Sequence, residues 1–151
     1  MGSEMCIRDR DRVRRMAALE TGDDGGALLA DPAFRRRAAE VEISLLAADW
    51  TERRLSASRA LGESVGNAAA SMKKLAASER GQAVEALALE TLGLYAAPDQ
   101  LAAAQGSNAA PVGPEHAATP TACFLNGRAA TIFGGSSEIQ RNILARIALG
   151  L

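Results

Sequence analysis

The chain has 151 residues, about the length of one ordinary domain and short for an enzyme that houses cofactor and substrate in separate domains. It is 48% hydrophobic but only 3% aromatic, with Ala the commonest residue, a composition that favours packed helices over sheets. With 17 basic and 18 acidic residues the formal net charge is −1, so no global field draws the chain to nucleic acid or anionic lipid; two distant cysteines and one histidine offer no clustered metal site.

No apolar run approaches the roughly 20 residues of a membrane helix, and no apolar stretch of a secretory signal opens the chain. A cytoplasmic protein without membrane or nucleic-acid partners is the simplest expectation. Residues 1–10, Met1-Gly2-Ser3-Glu4-Met5-Cys6-Ile7-Arg8-Asp9-Arg10, match neither a transit peptide nor the text that follows. They are set apart as a non-native or disordered leader, which leaves 11–151 as the domain.

Residues 11–20 read as the last turns of a helix, ended by the glycines of Thr21-Gly22-Asp23-Asp24-Gly25-Gly26. Asp31-Pro32 opens the next helix, since Asp caps well and Pro at the first helical position gives up a donor that has no partner there. From there to about residue 61, Phe34, Ala38, Val41, Leu45 and Ala48, flanked by Ile43, Leu46 and Trp50, recur at three- and four-residue steps. Gly62 and Gly66 break that helix. A second long helix is predicted over 67–92, with Met72, Leu75, Ala76, Val84, Leu87 and Ala88 on its buried stripe and Gly93 as terminator.

Residues 96–121 collect Pro, Gly, Ser and Asn and read as an exposed excursion loop, apart from a short Ala-rich piece near 100–105. A third helix is expected over 121–132, and a terminal one over 137–149 with Ile139, Ile143, Leu144 and Ile147 on its apolar face. The expected fold is therefore all-α: an antiparallel helical bundle of two long and two shorter helices, preceded by a truncated first helix.

The segment Ala129-Ala130-Thr131-Ile132-Phe133-Gly134-Gly135-Ser136-Ser137-Glu138-Ile139-Gln140-Arg141-Asn142-Ile143-Leu144-Ala145 resembles the closing signature of the acyl-CoA dehydrogenases. There an aromatic residue is followed by Glu-Gly or Gly-Gly, then Thr or Ser, Ser, any residue, and Ile-Gln-Arg. The upstream order is similar too, with Asp31-Pro32 opening a long helix, Lys73 to Leu75 leading the next, and Glu90-Thr91-Leu92-Gly93 closing it. This resemblance implies the C-terminal four-helix domain of a flavoprotein whose other two domains lie elsewhere in the subunit. It implies FAD as cofactor, an acyl-CoA substrate undergoing α,β-dehydrogenation, an electron-transfer acceptor, and a homo- or hetero-oligomer, dimer or tetramer.

By the same resemblance Gly135, Ser136, Ser137 and Glu138 lie beside the FAD of their own subunit, and Glu90 and Gly93 beside that of a neighbour. Physically, Gly134 and Gly135 allow a tight turn and close ligand approach, and Ser137 with Gln140 fits a Ser-x-x-Gln capping box at a helix start. The plain alternative is a tight turn and cap without a ligand. No catalytic residue is assigned: Gly134 stands where some relatives carry the catalytic Glu, and glycine cannot take a proton. The base then comes from the helix ending in residues 12–20, or the subunit has none and serves an active partner; a generic helical interaction module is the third reading. Of the remaining candidates, His116 reads as a solvated loop residue, Glu79 as an edge carboxylate, Arg128 and Arg141 as pairing groups and Cys123 as a small buried filler.

Overall fold

The computed structural model describes residues 2–63, 66–108 and 110–150, so Met1 of the expected leader and position 109 of the expected loop lie outside the described residues. The architecture is all-α, with six α-helices among the described residues, α1 Gly2–Leu19, α2 Pro32–Ala60, α3 Asn67–Leu92, α4 Leu101–Ala104, α5 Pro120–Gly127 and α6 Ser137–Leu144, short 3-10 turns between them and a π turn after α6. No strand occurs among the described residues; one isolated bridge, Thr21 to Ala27, closes the turn after α1. Positions 2–10, set apart above as a leader, form the first half of α1, which runs on to Leu19.

The long helices follow local chemistry. Asp31 caps α2 by accepting the Phe34 N–H at 2.6 Å, with Pro32 in the first turn. Gly62 at φ +77° follows its end, and Gly93 at φ +52° terminates α3, so both helices stop where an L side chain is strained. Helix α3 is the axis of the bundle, packing against α1, α2, α5 and α6. Val13 and Ala17 of α1, Phe34 and Leu45 of α2, and Val84 and Leu87 of α3 form the main core, and Met16, Leu92 and Ala117 a second one.

Three expectations change. The expected core residues Met72, Ile139 and Ile147, and the flanking Ile43, Leu46 and Trp50, are exposed, Trp50 by 70%. Helix α2 carries apolar residues around most of its circumference, whereas α1 and α3 cover one stripe of it. The excursion after residue 96 is an organised loop rather than a bare one. Gln100, 8% exposed, donates to the carbonyls of Tyr95, Val112 and Ala117 and accepts the Val112 N–H at 2.9 Å, while Thr121 bonds the Ala96 carbonyl at 2.9 Å across the loop's neck. The helix expected over 121–132 is α-helical only to Gly127 and tightens into a 3-10 turn over Arg128–Thr131. Side chains of α3 take the carbonyls of Gly127, Arg128 and Ala130, which diverts the acceptors that a further α turn uses.

Candidate functional site

The glycine turn that joins α5 to α6 contains most of the expected site. Its entry is tight: the amides of Ile132 and Phe133 both donate to the Ala129 carbonyl, at 2.9 and 3.1 Å. Gly134 and Gly135 then take φ values of +69° and +90°, a conformation nearly reserved for glycine. The space around Gly134 is open within 4 Å of a Cβ position, whereas a side chain at Gly135 meets the Gln140 amide.

The capping residue differs from expectation by one position. Ser136, in extended conformation, is the N-cap of α6 and accepts the Ile139 N–H at 3.5 Å. Ser137 is the first helical residue, only 5% exposed, and its hydroxyl is buried with no hydrogen-bond partner. Gln140 folds back on Gly135 and makes no capping box with Ser137. The cap falls one residue before the position the Ser-x-x-Gln pattern picks out, and at the third helical position the observed cap is followed by Ile139, so no box forms.

An exposed Glu138 follows. Its carboxyl is held below the ordinary carboxylate range, first by its own backbone N–H, then by the Ser136 hydroxyl, with Arg141 and Lys74 adding their charges. The first turn of α6 therefore already favours negative charge, as an N-terminal turn does. Beneath the turn, α3 holds both ends of the connection. Lys74 Nζ donates to the Ala130 carbonyl at 2.9 Å, the Ser78 hydroxyl lies 3.2 Å from the same oxygen and 2.8 Å from the Lys74 carbonyl, and Arg141 of α6 pairs with Glu79 at 2.8 Å.

Glu90 and Gly93 lie at the other end of α3. Sixteen residues separate Lys74 from Glu90, about 24 Å along the helix at 1.5 Å per residue. Within one chain the two groups of expected cofactor contacts are therefore not brought together. Glu90 is committed to Arg37 of α2, which donates to it at 2.9 and 3.0 Å and through a third, shorter bond. That bond, ahead of the charges of Glu90, Asp31 and Glu40, raises the Arg37 pKa despite some desolvation. The pair offsets the carboxylate charge at a helix end that is already electronegative. Gly93 is exposed, with nothing within 4 Å of a Cβ position.

Other candidates are relocated. His116 is not a solvated loop residue: its Nε2 lies 2.7 Å from Glu20 Oε1, both side chains 19% exposed, so it ties the long loop to the end of α1. Cys123 is exposed rather than a buried filler. Arg128 stacks on Phe124, donates to its carbonyl at 3.0 Å and pairs with Glu85 at 3.1 Å. Glu85 was missed by the sequence reading. Burial pushes its carboxyl up, opposed by Arg128, and it sits against the bare Cα of Gly127 where α3 and α5 approach closely. A Glu-to-Gly pairing across two helices leaves no periodic trace. A charged cleft lined by Arg8, Asp9, Asp11, Arg12 and Arg15 belongs wholly to α1 and includes none of the signature residues.

Residues 12–149 match the family model of the acyl-CoA dehydrogenase C-terminal domain. None of the curated proteins matches the chain. Among solved structures, the ChsE4-ChsE5 complex from Mycobacterium tuberculosis is similar over 99% of this chain and 35% of that chain, at 24% identity and a TM-score of 0.70. The FAD complex of PigA is similar at 21% identity and TM-score 0.75 over 99% and 34% of the two chains, and an FAD-dependent dehydrogenase at 19% and 0.71 over 99% and 35%. At such identities these likenesses establish the helical fold. The chain spans about a third of the length of the solved chains it matches.

Proposed function

The chain belongs to the acyl-CoA dehydrogenase family, matching its C-terminal domain over residues 12–149, and from that premise we propose that it forms the cofactor-facing helical domain of a cytoplasmic, FAD-dependent acyl-CoA dehydrogenase. The observation that carries the reading is the start of α6: an open glycine turn followed by a buried Ser137 hydroxyl without a partner. A buried hydroxyl left unpaired costs about 1–3 kcal/mol, so such a group calls for a ligand or another part of the protein to complete it. FAD fits this donor set. Bare backbone at Gly134, with open space beside it, admits a planar or phosphate group closely, and Ser137 supplies a hydroxyl with no other partner.

In that role the residues at 135–138 hold and orient the cofactor of their own subunit, and the Glu90–Gly93 end of α3 meets that of a neighbouring subunit in a dimer or tetramer. The length of α3 between Lys74, which holds the entry of the turn, and Glu90 supports a division between two cofactors. The Arg37 pair lets Glu90 stand near an anionic group without repelling it. When bound between these residues, FAD would supply the acceptor for a hydride from the β-carbon of an acyl-CoA and the route for electrons to a separate acceptor protein. The residue that takes the α-proton is not Gly134. Two carboxylates of this segment are already engaged, Asp11 midway along α1 with Arg10 and Glu20 just past its end with His116.

Gly134 also favours a second reading, a subunit that completes the cofactor site of an active partner and has no base of its own. The first relative above is itself described as a complex of two components. Acyl-CoA added to the flavin-loaded intact subunit separates the two. Bleaching of the flavin absorbance by the homomer supports a complete enzyme, whereas bleaching only with a co-expressed partner supports the baseless subunit. Intact protein that never retains flavin contradicts both.

A further inference from the structure

We infer that Lys74 is a positioning residue for the glycine turn, anchoring its entry through the Ala130 carbonyl and placing a positive charge beneath the first turn of α6. The functional consequence rests on the flavin-site reading above. The anchoring itself does not.

Three side chains spaced four residues apart on one face of α3 turn toward the end of α5. Lys74 donates to the Ala130 carbonyl, the Ser78 hydroxyl shares its one proton between that oxygen at 3.2 Å and the Lys74 carbonyl at 2.8 Å, and Gln82 donates to the carbonyls of Gly127 and Arg128 at 3.1 and 3.4 Å. Those oxygens mark the negative end of α5, where a cation is favoured, and Lys74 is the charged member of the set. Only residues 131–136 separate the Ala130 anchor from α6, which Arg141 ties back to Glu79 on α3. The turn is therefore held at both ends by one helix, and two consecutive glycines at positive φ leave it little stiffness of its own.

Lys74 does more than Ser78, which bonds the same oxygen. Its charge is among those that favour the ionised carboxylate of Glu138, after that residue's own amide, the Ser136 hydroxyl and Arg141. The ammonium thus links the entry of the turn to its exit. Removing it loosens the turn and also removes positive charge from the place where an anionic cofactor group approaches.

The test uses the intact subunit carrying Lys74→Met, Lys74→Arg and Ser78→Ala, with Lys74→Gln in place of Lys74→Met if that variant does not fold. Hydrogen exchange at the amides of 132–139 is read without flavin, and FAD affinity by fluorescence quenching. Loss of the ammonium is expected to speed exchange and weaken FAD binding by about tenfold each, the scale of one charge-assisted hydrogen bond. Lys74→Arg restores both to within about threefold, and Ser78→Ala speeds exchange while changing FAD affinity by less than about threefold. Unchanged exchange in Lys74→Met overturns the inference, as does a loss of FAD affinity in Ser78→Ala equal to that in Lys74→Met, which would leave the charge with no role. A wild-type protein that binds no FAD refutes the flavin-site reading instead, and exchange alone then decides the role of Lys74.

Discussion

Ser137 and Glu138 are adjacent in the chain, yet they mark opposite sides of the turn's energetics. The Ser137 hydroxyl is buried and unpaired, so in flavin-free protein Ser137→Ala is expected to raise stability by about 1 kcal/mol while FAD affinity falls. Calorimetry and flavin titration on the same variant read the two opposite signs. If both properties fall, the hydroxyl has a structural partner and is not waiting for a ligand. Glu138 behaves differently. Its carboxyl is depressed on folding, so its contribution is present above the ordinary carboxylate range and is lost as pH falls through the depressed value. The difference in unfolding midpoint between wild type and Glu138→Gln should be open at neutral pH and close below about pH 4. A difference independent of pH rules out the charge as its source. These features were only half legible in the sequence. The signature pointed to residues 134–138, but which serine caps and which is buried depends on a one-residue register that only the folded turn decides.

Helices α2 and α3 were readable almost to the residue because their ends carry strong local chemistry: Asp31-Pro32 at one start, glycines at both stops. Asp31→Ala is accordingly expected to destabilise by about 1 kcal/mol, and Phe34→Ala, which empties a side chain with no exposure at all, by about 3–5 kcal/mol. Chemical denaturation of both variants checks the order as well as the size. What stayed hidden lies between elements. Gln100 organises the long loop through bonds to backbone from Tyr95 to Ala117, and no spacing rule identifies such a residue. The early end of α5 at Gly127 likewise reflects Lys74 and Gln82 on α3, which take the carbonyls of Gly127, Arg128 and Ala130, and Glu85 on the same helix lies against Gly127. Gly127→Ala places a methyl on the Glu85 carboxylate and disturbs its pairing with Arg128, so it should cost about 1 kcal/mol. In a Glu85→Ala background the clash is gone, and the same change should stabilise by about 0.5–1 kcal/mol through helix propensity. Equal effects in both backgrounds would mean that the close approach of α3 and α5 does not govern this position.

At the scale of the molecule, the core is narrow and much apolar surface remains uncovered. Ile43, Leu46 and Trp50 on α2, Leu94 and Tyr95 after α3, and Ile132 and Phe133 at the glycine turn are all exposed. Such a surface fits a domain that meets other domains and subunits, and its family supports that reading without naming the contacts. Expressed alone, these 151 residues should self-associate, as a dimer or tetramer, and sedimentation velocity giving a monodisperse monomer would contradict this. No helix among the described residues is long and apolar enough to cross a membrane. The most direct test of the central claim is the flavin content of the intact subunit, measured by visible absorbance, in wild type and in Gly135→Val. The account predicts about one FAD per subunit in wild type and a large loss in the variant, whose side chain is strained at φ +90° and displaces Gln140. A wild type without flavin, or a folded Gly135→Val protein that retains its full complement, would contradict it.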